Sequence, residues 1–192
     1  MRLERLNKSQ TEDIFRKRLI VDFPEAVIKP LNVILKAMED GKYESLGLYD
    51  GEDMIGYAFL VKLDNDYLID YLAIYPDQRN AGAGGTLVGL LAEYLKDADN
   101  IIGEVEDPSY SEDAAQKDIQ ERRLAFYYRN GCIDSGLRVK TFGVPFLILK
   151  AKDGNYHDNE ELWRLYQSFY KELLPKDLFE KNVELLNMDV RN

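Results

Sequence analysis

Between an apolar stretch that ends at Tyr75 and an amphipathic stretch that begins near position 85 lies Arg79-Asn80-Ala81-Gly82-Ala83-Gly84-Gly85. Glycines let the backbone approach a ligand closely, and a helix that starts at such a turn points its free amide hydrogens at whatever sits there. Phosphate oxygens suit that arrangement; a tight turn without a ligand is the other reading of the same residues. No Gly-Lys-Ser/Thr is present, which excludes a triphosphate P-loop, and the Gly82-x-Gly84-Gly85 spacing lacks the third glycine of a dinucleotide fingerprint.

Acid–base chemistry has few candidates. His157 is the only histidine and Cys132 the only cysteine, which excludes Ser-His and Cys-His triads, paired-histidine zinc motifs, thiolate clusters and an intramolecular disulfide. No metal is expected. Carboxylates, tyrosines, lysines or water must move the protons. Asp70 is the sole charge in Tyr67-Leu68-Ile69-Asp70-Tyr71-Leu72-Ala73-Ile74-Tyr75, where it alternates with Leu68 and Leu72 on one face, and Glu104 and Glu106 share a face of Ile101-Ile102-Gly103-Glu104-Val105-Glu106. A charge in such a strand needs a reason, which is a buried base, an ion pair or a solvated edge.

The elements that must position these residues follow from periodicity. After a short strand at 1 to 6, Ser9-Gln10-Thr11-Glu12 has capping-box spacing ahead of a helix marked by Ile14, Phe15, Leu19 and Ile20, and a second helix runs from Pro30 to Gly41. Strands at 43 to 49, 54 to 63 and 67 to 75 make an antiparallel meander. A helix over 85 to 96, a strand at 101 to 106 and a helix over 113 to 129 ending at Asn130-Gly131 come next, then strands near 132 to 141 and 144 to 150. Residues 158 to 190 read as two helices broken at Pro175. The first carries Leu162, Trp163, Leu165, Tyr166, Phe169, Tyr170 and Leu173, a stripe that packs on the protein's own core or else forms a dimer interface or a pocket wall.

Two of these segments resemble one family. Pro76 to Leu87 is similar to the acetyl-CoA segment of the GNAT superfamily of acyl-CoA-dependent N-acyltransferases, Gln/Arg-x-x-Gly-x-Gly/Ala, with Arg79, Gly82 and Gly84 filling the pattern. Ala125-Phe126-Tyr127-Tyr128-Arg129-Asn130-Gly131-Cys132 resembles that family's Tyr-x-x-x-Gly-Phe, filled by Tyr127 and Gly131, with Cys132 in place of the phenylalanine. The resemblance implies an α+β fold with a mixed, mostly antiparallel central sheet flanked by helices: a core over 1 to 150 and a C-terminal helical extension over 151 to 192 packed on the same domain.

It also implies roles. Backbone amides of Gln78, Arg79, Asn80, Ala81, Gly82, Ala83, Gly84 and Gly85 would hold the pyrophosphate of acetyl-CoA, the co-substrate. Leu72, Ala73 and Ile74 would pair with the pantetheine arm, and the amide of Leu72 or Ala73 would polarise the thioester carbonyl. Gln120 stands where many members have an asparagine that holds the same arm. Tyr127 matches the family's general acid; Tyr128 is the neighbouring alternative. Glu104, then Asp70, then Glu106 are the candidate bases, unless an ordered water chain serves instead. Arg122 and Arg123 read as salt-bridge partners or as contacts to an anionic part of the ligand.

The expected activity is transfer of an acetyl group to a primary amine. The chain holds 35 acidic and 25 basic residues, a formal charge of −10, which favours a small cationic acceptor, leaves a protein amine open, and opposes nucleic acid and anionic membranes. A non-catalytic acyl-CoA-binding or protein-interaction module on the same fold is the alternative. A charged N-terminus, one cysteine and no long apolar run lead us to expect a cytoplasmic protein; a homodimer is compatible with the C-terminal stripe.

Overall fold

A computed structural model of the chain describes residues 1–151 and 158–188. His157, and positions 189 and 190 of the expected second C-terminal helix, lie outside the described residues. The described chain holds eight strands and six α-helices of seven residues or more, the α+β class expected, in two compact units, Met1–Ala98 and Asp99–Asn192.

In the first unit, β1 (Arg2–Arg5), β2 (Tyr43–Asp50), β3 (Asp53–Leu63) and β4 (Asp66–Ile74) pair in sequence order, each antiparallel to the next. The β3–β4 register shifts at one point: Phe59 faces Tyr71 while Leu60 faces Ile69, so Asp70 is an extra residue in β4. A bulge of this kind re-aims a side chain, and it breaks the simple alternation expected of Leu68, Asp70 and Leu72. Helix α1 (Lys8–Ile14) starts at Asn7 rather than at Ser9. Asn7 accepts from the Gln10 amide and Gln10 Oε1 accepts from the Asn7 amide, both at 3.0 Å, a complete capping box two residues earlier than the one expected. It continues through a π-helical turn, Phe15–Leu19, to Asp22. Helices α2 (Leu31–Glu39) and α3 (Ala83–Tyr94) complete this unit, and Leu19, Ile34, Leu46, Tyr57, Phe59, Leu60, Leu68 and Leu87 are fully buried in its core.

In the second unit, β5 (Asn100–Glu106), β6 (Cys132–Thr141), β7 (Val144–Ala151) and β8 (Val183–Met188) join antiparallel in the order β5-β7-β6-β8. Helix α4 (Ala114–Arg129) begins at Asp113, whose side chain accepts from the Ala115 amide. Helix α5 (Asn159–Leu173) buries Leu162, Tyr166, Phe169, Tyr170 and Leu173. Spacing of three and four puts these on one face, and burying each large apolar side chain contributes about 1.5–3 kcal/mol. Helix α6 (Lys176–Asn182) is shorter than expected. The chain after it is strand β8, which pairs with β6 from Leu137↔Met188 to Thr141↔Val183. The open hydrogen-bonding edge of β6 overrides the helical periodicity read for 183 to 188. Among the described residues no helix is long and apolar enough to cross a membrane.

Candidate active site

Strand β4 ends at Ile74, a 3-10 turn follows at Pro76–Gln78, and Asn80 and Gly82 then adopt left-handed backbone at φ +66° and +83°. Helix α3 starts immediately after. Its N-cap position is Gly82, and no side chain caps it, although helix starts of this length ordinarily recruit Ser, Thr, Asn or Asp. The leading amides of Ala83, Gly84 and Gly85 have no intrahelical acceptor. The requirement for glycine at 82 is conformational: a Cβ there would meet no atom within 4 Å, but an L side chain resists φ +83°. Buried Ala83 pins the first turn to the core.

Arg79 braces this turn with its side chain. Its Nε donates to the Ile74 carbonyl at 3.0 Å, and its guanidinium lies 3.8 Å from Asp22, which also takes Arg18 at 3.3 Å and the Tyr57 hydroxyl at 3.1 Å. Burial, reinforced by the charge of Asp22, pushes the Tyr57 hydroxyl well above its ordinary range, so it is a fixed donor. Sequence reading did not single out this Asp22 cluster.

On α4, Tyr127 and Tyr128 face different ways. Tyr127 packs with Leu124 and Cys132 against Val105, Leu147 and Leu149, whereas Tyr128 is 42% exposed. Tyr127 is the inward residue of the two. Burial pushes its hydroxyl up to about 12, partly offset by Arg123, and the hydroxyl makes no hydrogen bond among the described residues. Burial likewise raises the Cys132 thiol, which disfavours the reactive thiolate. Gln120 and Glu106 come together: Gln120 Nε2 donates to Glu106 at 2.9 Å, and Arg123 stands 3.6 Å from the same carboxylate. Gln120 Oε1 is buried with no hydrogen-bond partner among the described residues, a costly state for an amide oxygen. Arg122 pairs with Asp118 on the helix surface at 2.8 Å, the solvated salt bridge.

The three carboxylates prove unlike. Asp70 is 1% exposed; its Oδ1 is 2.5 Å from the ammonium of Lys29, itself 5% exposed, and its Oδ2 accepts from Tyr43 at 2.5 Å. This buried ion pair anchors the Lys29 segment to β4. Glu106 is committed to Gln120 and Arg123. Glu104, part-buried in β5 opposite Ile148, receives on Oε1 the hydroxyl protons of Tyr166 and of Tyr170, the latter at 2.7 Å. Sequence reading placed both tyrosines in an apolar stripe and assigned them no polar task. A signal was available, because a buried tyrosine hydroxyl needs a partner, and 166 and 170 are one helical turn apart.

The family model described as "Acetyltransferase (GNAT) family" matches residues 9–131. No curated protein matches by sequence. Among solved structures, a protein of the GNAT family from Bacteroides thetaiotaomicron is 20% identical, with a TM-score of 0.72 over 91% of this chain and 100% of its own. An acetyltransferase from Bacillus subtilis in complex with CoA is 17% identical, with a TM-score of 0.56 over 78% of this chain and 97% of its own. The ribosomal-protein-S18-alanine N-acetyltransferase from Escherichia coli is 15% identical, with a TM-score of 0.56 over 82% and 96%. These likenesses show a shared fold. With most of its length matched by the family model and the glycine turn and Tyr127 on the elements expected of them, the chain belongs to the GNAT family of acyl-CoA-dependent acetyltransferases.

Proposed function

We propose that this protein transfers the acetyl group of acetyl-CoA to a primary amine, and that Glu104 and Tyr127 manage the protons. The observation that carries the reading is the start of α3, where left-handed Gly82 leaves the amides of Ala83, Gly84 and Gly85 without a capping side chain. Oriented amides at a helix N-terminus, reinforced by the helix dipole, suit a pyrophosphate. Gln78, Arg79, Asn80 and Ala81 complete the loop around it, with the Arg79 side chain as brace and its backbone as donor.

The residues of the second unit also fit the ligand. The Oε1 of Gln120, unpartnered among the described residues, is an acceptor of the kind a pantetheine amide would satisfy, in the place of the family's asparagine. Backbone groups of Leu72, Ala73 and Ile74 are assigned to the same arm, and the amide of Leu72 or Ala73 to the acetyl carbonyl. Acetyl-CoA supplies an acyl group activated as a thioester.

Glu104 accepts a proton from the attacking amine, which must be neutral to react. Tyr127 donates to the departing sulfur. With its hydroxyl held near 12, Tyr127 remains a donor at every physiological pH. Full transfer to a thiolate of ordinary affinity, near 8.5, is uphill. Dry surroundings raise the thiolate's proton affinity too and narrow that gap, so hydrogen bonding comes first and proton transfer follows as the sulfur leaves. The net charge of −10 favours a cationic small-molecule amine, a polyamine or amino sugar, over an anionic one.

The test has two arms. Thermal unfolding with acetyl-CoA should show stabilisation that grows with ligand concentration. Thiol release from acetyl-CoA should then rise above background hydrolysis with at least one member of a panel of polyamines, amino sugars, amino acids, and peptides with free N-termini or lysines. Stabilisation without release from any amine would point to a binding module. No stabilisation would overturn the reading altogether.

A further inference from the structure

We propose that the C-terminal helix α5 serves the reaction itself: Tyr166 and Tyr170 are positioning residues that fix Glu104, and Thr141 fixes Tyr166. This rests on the assignment of Glu104 as base. The helix lies beyond residue 131, where the family match ends.

Three elements meet in one hydrogen-bonded cluster. Strand β5 supplies Glu104, and α5 supplies Tyr166 and Tyr170, which are 0% and 1% exposed. Both hydroxyls donate to Glu104 Oε1. Strand β6 supplies Thr141, 3% exposed, whose Oγ1 lies 2.6 Å from the Tyr166 hydroxyl. A tyrosine hydroxyl has one proton; since Tyr166 gives its proton to Glu104, Thr141 is the donor in the second bond, and the direction of the chain is fixed. The rings are held as well. Trp163 stacks on Tyr166 with centroids 5.8 Å apart and planes 19° apart, and Tyr166 meets Tyr170 at 5.1 Å.

Phenylalanine at 166 and 170 would fill the same core with no buried hydroxyl to satisfy. Two hydroxyls aimed at one carboxylate oxygen therefore call for a task beyond packing. A glutamate on a strand has freedom about three side-chain bonds, and two donors from a packed helix remove it, holding the carboxylate in one orientation. Burial and the charge of Glu104 hold the Tyr166 hydroxyl well above its ordinary range, so it stays a donor rather than exchanging its proton with the base.

The experiment compares Tyr166→Phe, Tyr170→Phe and Thr141→Val with Glu104→Gln, using the full chain and the amine that gives the fastest thiol release. Each tyrosine variant should fold, bind acetyl-CoA with unchanged affinity and keep KM for the amine, while kcat falls on the order of 10-fold. The low-pH limb of kcat/KM should move upward, because the carboxylate loses donors that favour its charged form. Added to Glu104→Gln, neither tyrosine variant should lower kcat further. If Tyr166→Phe does not fold, Tyr170→Phe and Thr141→Val make the same test, Thr141→Val with a smaller loss. Wild-type kcat and an unmoved limb in the tyrosine variants, with Glu104→Gln inactive, would overturn the positioning role and leave the base in place. Wild-type kcat in Glu104→Gln would instead remove the base assignment, and this inference with it.

Discussion

Asp70 in β4 and Glu104 in β5 are both carboxylates set into apolar strands, yet Asp70 lies 2.5 Å from the ammonium of Lys29, whereas Glu104 takes the hydroxyl protons of Tyr166 and Tyr170. The difference comes from segments far away in sequence. Lys29 belongs to the stretch before α2, and the tyrosines to α5. A buried ammonium ties Asp70 to one distant segment, and two buried tyrosine hydroxyls tie Glu104 to another. A charged residue inside a strand thus identifies a site worth inspecting, and the partner decides what the site does.

That contrast can be broken by mutation. The largest effect is expected at Asp70, in stability: Asp70→Ala leaves Lys29 buried without its counter-charge, and chemical denaturation should show a loss of about 3–5 kcal/mol. The protein that remains folded should keep its turnover; a proportionate fall in kcat per folded molecule would mean that Asp70 shares in the chemistry. Tyr127→Phe should lower kcat by about 100-fold with acetyl-CoA affinity intact, the lower range for a lost proton donor. Tyr128→Phe, its exposed neighbour, should not; equal losses would contradict the inward placement of Tyr127. Because burial raises Tyr127 to about 12, its proton is retained below that pH, and no alkaline loss of kcat should arise from it up to about pH 11. Gly82→Ala forces a Cβ into φ +83° and should weaken acetyl-CoA binding by about 10-fold in a calorimetric titration, with kcat at saturation less affected.

The sequence made the strands of the meander legible because alternation and Asp-Gly-type turns are local signals, and it located the turn at 79 to 85 because glycine has a backbone meaning of its own. Helical spacing gave α5 its buried face. The Asp70 bulge was hidden, since nothing local marks which residue a sheet will skip. Strand β8 was hidden for a related reason: 183 to 188 becomes a strand by pairing with β6, a tertiary event that periodicity within the segment does not record. For the candidate site, residue types were readable and partners were not. Lys29, Tyr43, Tyr166 and Thr141 reach their carboxylates or hydroxyls across separations of 25 to 62 residues. The α1 start shows the same limit at short range, where Asn7 and Gln10 made the better reciprocal pair than Ser9 and Glu12.

The central claim, that Glu104 takes the proton from the acceptor amine, is tested most directly by the pH–rate profiles of wild type and Glu104→Gln with one amine. If Glu104 is the base, wild-type kcat/KM levels off once the carboxylate is charged and its proton-accepting role is filled. The glutamine variant, dependent on amine that is already neutral, should start at least about 1,000-fold lower and climb about tenfold per pH unit toward the amine's own pKa, about 10.4 for a lysine-like group. Parallel profiles separated by a constant factor, or no separation at all, would contradict the account.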